Sequence, residues 1–179
     1  MNKIETTYYL TVSDYRQACY YGAGVRQYKS LRILFFIVGA ALISFFGGTM
    51  WNWARGVELA ALLGLIAALW LLSIFTGVEK GIRRYLKAPD AMIGCEYTVT
   101  LESHRITVKI PERKVHVSVK MNELVAVFAL SREFMIYTTP QDTYLLPFRA
   151  LTKGQLEEAK ENFRHHLGEK YSETKRKFR

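Results

Sequence analysis

Ionised side chains drop out of the chain twice. Residues 33–54 and 59–78 are two apolar runs, parted only by the corner Arg55, Gly56, Val57 and Glu58. At a rise of about 1.5 Å per residue either run makes a helix about 30 Å long, which matches the hydrocarbon thickness of a bilayer. The pattern predicts a two-helix transmembrane hairpin. Two such runs in tandem argue against core helices of a soluble protein, and the first begins too late for a cleavable signal peptide.

The pattern changes after the second run. Residues 79–87 extend the helix until Pro89 stops it, and from Tyr97 apolar positions recur every second residue: Tyr97, Val99, Leu101; Ile106, Val108, Ile110; Val115, Val117, Val119. Pro111 and Glu112 are the expected turn, which sets Val108 opposite Val115, Ile106 opposite Val117, His116 opposite Thr107 and His104 opposite Val119. Three further strands are predicted over 124–130, 134–139 and 143–148. The result is an antiparallel meander of about six strands.

A helix closes the meander. Thr152 and Gln155 make a capping box, Leu151 and Leu156 a hydrophobic staple, and Leu156, Ala159, Phe163 and Leu167 an apolar stripe that ends at Gly168. Ahead of the spans, Thr6, Tyr8 and Leu10 read as a strand able to join the sheet, and Thr11 to Asp14 as a helix start. The fold class is therefore α+β with membrane helices: a transmembrane hairpin plus an antiparallel sheet closed by a C-terminal helix. Strands first and one plugging helix last is the order of pleckstrin-homology-like domains, an analogy that names no ligand. The expected divisions are 1–32 (strand and helix), 33–54 and 59–78 (spans), 94–168 (sheet domain) and 169–179 (basic tail).

The order of parts also resembles the YcxB-like family of bacterial membrane proteins. The features that carry the resemblance are the leading Tyr9, Leu10, Thr11, Val12, Ser13, Asp14, Tyr15; the tandem spans; and the stretch from Leu124, Val125, Ala126, Val127 through Phe134, Met135, Ile136, Tyr137 to Leu145, Leu146, Pro147, Phe148, Arg149, Ala150, Leu151. That resemblance implies a multi-pass protein of the bacterial inner membrane. It implies no catalytic residues.

Charge sets the expected orientation. Arg26, Lys29 and Arg32 precede the first span and Lys80, Arg83, Arg84 and Lys87 follow the second, whereas the corner holds only Arg55; both termini are expected in the cytoplasm. Lys80, Arg83, Arg84 and Lys87 are the candidate membrane-surface contacts, within reach of anionic headgroups, and the tail adds Lys170, Lys175, Arg176, Lys177 and Arg179 to a formal charge of +9. Trp51, Trp53, Tyr20, Tyr21, Tyr28 and Tyr85 are placed to anchor in the headgroup layer. Small residues recur every fourth position, Ala40, Ser44 and Gly48 in one span and Ala60, Gly64 and Ala68 in the other, and are the candidate helix-packing ridges.

Candidate chemistry changes little. The spans lack any Asp, Glu, His, Lys or Arg, which disfavours ion or proton transport. Phosphate-loop, H-E-x-x-H, G-x-S-x-G and C-x-x-C patterns are absent, Cys19 and Cys95 are expected to stay free thiols, and His104, His116, His165 and His166 are expected to be surface or structural. No cofactor, metal or catalytic site is expected. The expected partners are the lipid bilayer, its anionic headgroups, and a membrane or cytoplasmic protein; nucleic acid is not expected, since no aromatic platform is interleaved with basic residues. The reading is a membrane-anchored, non-enzymatic binding or scaffold module, with an accessory or immunity-type subunit of a larger membrane complex as the alternative.

Overall fold

The computed structural model describes residues 3–26, 35–43, 46–47 and 53–173. The chain divides into two compact units, one of Met1–Ala18 with Pro89–Arg179 and one of Cys19–Ala88. The architecture is α+β.

In the first unit, strand β1 (Ile4–Tyr9) leads into helix α1 (Val12–Arg26), whose later turns belong to the second unit. Seven more strands follow Pro89: β2 (Glu96–Leu101), β3 (Arg105–Ile110), β4 (Val115–Lys120), β5 (Ala126–Ala129), β6 (Glu133–Tyr137), β7 (Thr143–Pro147) and β8 (Tyr171–Glu173). They form two four-stranded sheets, ordered β1-β2-β3-β4 and β7-β6-β5-β8, where a single meander was expected. The reason lies at Met121–Glu123. There the chain makes a 3-10 turn that buries Met121, ends the β4 ladder, and starts β5 in a new sheet. Neither face of β6 is then open to water, which one sheet with a single covered face would not achieve.

β1 joins the sheet as its pattern implied, pairing antiparallel with β2 from Ile4↔Leu101 to Tyr9↔Glu96. The β3–β4 register differs from expectation by two residues: Ile110 lies opposite Val115, Val108 opposite Val117 and Ile106 opposite Val119, while His116 meets Lys109 and His104 falls before β3. The turn takes four residues because Lys114 adopts a left-handed φ of 53° and its N–H donates to the Pro111 carbonyl. A slip of two keeps every side chain on its face. Hence Ile106, Val108 and Ile110 remain buried as the alternation demanded.

Helix α3 (Lys153–Leu167) has the capping box read from Thr152 and Gln155. It presents Ala159, Phe163 and Leu167 inward, and Phe163 meets Phe134 edge-on with ring centroids 5.3 Å apart. Residues 171–173 fall in the stretch expected to be a basic tail, yet they form β8, parallel to β5 at Val127↔Tyr171, and Tyr171 stacks on Phe163. An aromatic ring beside an open strand edge was enough to order them.

In the second unit, residues 35–43 are helical and helix α2 (Trp53–Leu86) runs through Arg55–Glu58, the expected corner. Arg55, Val57 and Glu58 keep their amides available for a helix, and Gly56 alone costs only about 1 kcal/mol. The Ala60–Leu86 part is the one helix among the described residues long and apolar enough to cross a membrane, and only 6% of its most apolar stretch is buried. Tyr20 of α1 donates to Glu79 at 3.0 Å and its ring lies 6.0 Å from Phe75.

Phe163→Ala should cost about 3–5 kcal/mol, because it opens a cavity between α3 and both Phe134 and Tyr171. Urea unfolding of the detergent-solubilised chain measures this.

Candidate functional site

The first turn of α1 begins as a local matter. Thr11 N–H donates to Asp14 Oδ2 at 2.9 Å and Asp14 N–H donates to Thr11 Oγ1 at 3.3 Å, the reciprocal cap that the sequence implied. Tertiary structure gives the same carboxylate a second partner. Arg149, in the turn after β7, donates Nη1 to Oδ1 at 2.5 Å and Nη2 to Oδ2 at 2.7 Å, and Nη2 also reaches the Tyr9 carbonyl at 3.0 Å. The fork thus holds β1 and α1 to the end of β7.

Burial pushes the Asp14 carboxyl up, but hydrogen bonds from Arg149 and from the Thr11 hydroxyl and amide outweigh it and hold the group below its ordinary range. The hydrogen bond to Asp14 in turn keeps Arg149 more firmly charged. Two further contacts brace this end of the domain. Thr6 donates to the Ala150 carbonyl at 2.5 Å, and Gln17, one turn beyond Asp14, donates to Ser131 at 2.7 Å.

Glu133 opens β6 between these contacts, two residues after Ser131 and opposite Pro147. It is 1% exposed, and neither carboxyl oxygen has a hydrogen-bond partner. Loss of hydration raises it to about 8, with the Asp14 charge pushing the same way and Arg149 opposing. At neutral pH the group is a neutral acid. Tyr8 completes the cluster: its hydroxyl donates to the Leu145 carbonyl, its ring stacks on Tyr97 at 5.5 Å, and burial followed by Tyr97, Asp14 and Glu133 raises its phenol well above the ordinary value. The cluster holds one fixed ion pair and one carboxyl of variable charge, so what it offers is control of charge.

Sequence reasoning missed Glu133 and gave Arg149 no role. Glu133 follows Ser131 and Arg132, which read as a turn, and only the alternation Glu133, Met135, Tyr137 would have placed it on a strand face. Arg149 looks like any exposed arginine until the fold returns it to Asp14.

The candidate surface residues Lys80, Arg83, Arg84 and Lys87 are all exposed at the end of α2 and just beyond it. Their i, i+3, i+4, i+7 spacing makes one stripe, and the basic last turn complements the helix dipole. Of the candidate packing residues, Ala60 and Gly64 line an apolar pocket of about 280 Å³ with Val38, Ala41, Leu42 and Leu63. Ala40 and Ala68 are exposed, Ala67 of α2 is buried, and Ser44 and Gly48 lie outside the described residues. Among the histidines, His104 sits edge-on to His166 at 5.3 Å, a contact created by α3. No group of three or more His, Cys, Asp or Glu among the described residues is set to hold a metal ion. Compared with protein-family models, curated proteins and solved structures, the chain matches none.

Arg149→Met should destabilise the chain by about 2 kcal/mol, less than the roughly 3–5 kcal/mol of a fully buried pair, since about half of the Arg149 side chain is open to water. Chemical unfolding checks the figure. Because the folded Asp14 lies below its unfolded value, its stabilisation is present above the ordinary aspartate range and is lost as pH falls through the folded value. Asp14→Asn should start less stable and lack that acid-side loss in a pH series of melting curves.

Proposed function

We propose that the chain is a membrane-anchored, non-enzymatic binding or scaffold module acting at the cytoplasmic face of a bacterial inner membrane. The observation that carries the reading is the Ala60–Leu86 helix, whose apolar stretch is almost wholly unburied and whose last turns carry the exposed Lys80, Arg83 and Arg84, with Lys87 just beyond. A helix of that composition left open to water would expose far more apolar surface than a soluble protein tolerates. In this reading the apolar residues ahead of Trp53 form the other arm of a hairpin, both termini lie in the cytoplasm, and the basic stripe rests on anionic headgroups of the inner leaflet. Two sheets followed by a closing helix support a pleckstrin-homology-like, YcxB-like domain. Such a domain would bind a lipid headgroup or a protein partner.

The pocket beside Gly64 favours the second reading, an accessory or immunity-type subunit that docks on a larger membrane complex. Gly64 is exposed, and a Cβ built there meets nothing within 4 Å. A β-carbon there would meet no atom of this chain yet would stand in the way of a closely packed partner.

Membranes carrying the full chain, extracted with alkaline carbonate, should retain it, and reporters on each terminus should both report cytoplasm; release, or either terminus outside, overturns the anchor. In nanodiscs, amide exchange over residues 80–87 should be at least about tenfold slower with anionic than with neutral lipid at low salt, at about 1 kcal/mol per basic residue. The difference should vanish when all four basic residues are replaced by Gln. For the docking reading, Gly64→Leu should abolish crosslinked partner recovery while leaving the melting curve unchanged.

A further inference from the structure

A carboxyl that is 1% exposed with both oxygens unpartnered demands an explanation, because burying such a group without partners works against folding. Its surroundings supply one. The first turns of α1 are held to the turns on either side of the β6–β7 hairpin: Asp14 and Gln17, three residues apart and so on one helix face, meet Arg149 after β7 and Ser131 before β6, and Ala18 on that face is buried. The groups that face Glu133 are Asp14 from α1, Arg149 from the turn after β7 and Tyr8 from β1, with Tyr97 of β2 stacked behind Tyr8.

We propose that Glu133 is a proton-controlled release for helix α1: neutral, it lies beneath the Asp14–Arg149 pair without disturbing it, and ionised, it lifts the first turns of α1 from the domain. The direction follows from the charges present. Loss of the proton places a second carboxylate under Asp14, with one guanidinium to serve both and no water to solvate the newcomer. The Arg149 fork is already given to Asp14 and the Tyr9 carbonyl. Raising α1 hydrates Glu133 at the cost of the Gln17–Ser131 bond and part of the Arg149 fork. Peeling β1 away would instead break a six-residue ladder to β2, so β1 stays. Because α1 is the chain's route from the sheet domain toward the first apolar run, its release would alter how that domain is tethered. The device goes beyond the proposed function and holds whatever the module binds.

Sign and window are set by the folded value of about 8 against an ordinary carboxyl near 4.5. The folded state retains a proton that the unfolded chain gives up, so stability falls as pH rises between these values and levels off above the upper one.

The test is amide hydrogen exchange of the full chain in detergent micelles, corrected for intrinsic base catalysis, between about pH 6.5 and about pH 9.5. Exchange of residues 15–18 should accelerate at least about tenfold from about pH 6.5 up to a break near 8 and level off above it, while the β1 amides paired to β2 stay protected. Glu133→Gln, which keeps the shape but cannot ionise, should abolish the transition. Glu133→Met, which removes the polar atoms, should do the same and serves if the Gln variant folds poorly. Tyrosinate absorbance must stay flat up to the break, since a rise there would assign the transition to a tyrosine. No acceleration in the wild type, the same acceleration in both variants, loosening spread over both sheets, or a tyrosinate signal below the break would each overturn the proposal.

Discussion

The Asp14–Arg149 ion pair is the constraint on which the sheet domain's assembly turns. It joins a helix cap near the start of the chain to a turn 135 residues later, and the same guanidinium also holds the Tyr9 carbonyl. A cap alone is a local device. The arginine makes it a closure, because α1 cannot leave without exposing one charge and stranding the other. Glu133 beneath the pair is the complementary risk. With no partner of its own, it is compatible with the closure only while neutral.

That closure explains why an N-terminal segment too short to bury a core belongs to the same compact unit as the strands after Pro89. β1 supplies an edge strand, and the first turns of α1 are fixed to Ser131 and Arg149. The apolar helix and the sheet domain obey different solvents. Along Ala60–Leu86 large apolar side chains such as Leu65, Leu69 and Leu72 are exposed, whereas the sheets bury most of theirs, Val115, Val117 and Val119 of β4 only in part. One chain of near-neutral mean hydropathy holds both because the excess of one part offsets the other.

Strand positions, the α3 stripe and both helix caps were legible because each rests on a period or on a three-residue spacing that backbone geometry imposes. The two-residue shift at Lys114 was not, since Pro111 and Glu112 alone satisfy a turn pattern and only the left-handed φ at Lys114 lengthens it. Nor was the division into two sheets, which depends on Met121 sinking into the core. β8 was hidden because Lys and Arg dominate its neighbourhood, while Tyr171 needed Phe163 beside it to count.

The sequence by itself determined most of the helix and strand segments, which side of each is apolar, and that one long helix is too greasy for water; these follow from side-chain chemistry at fixed spacing. Tertiary structure alone decided that Arg149 meets Asp14, that Glu133 is sealed from solvent, and that His104 meets His166. Those outcomes depend on pairing between residues far apart in the chain, and no local period encodes a partner that only folding brings near.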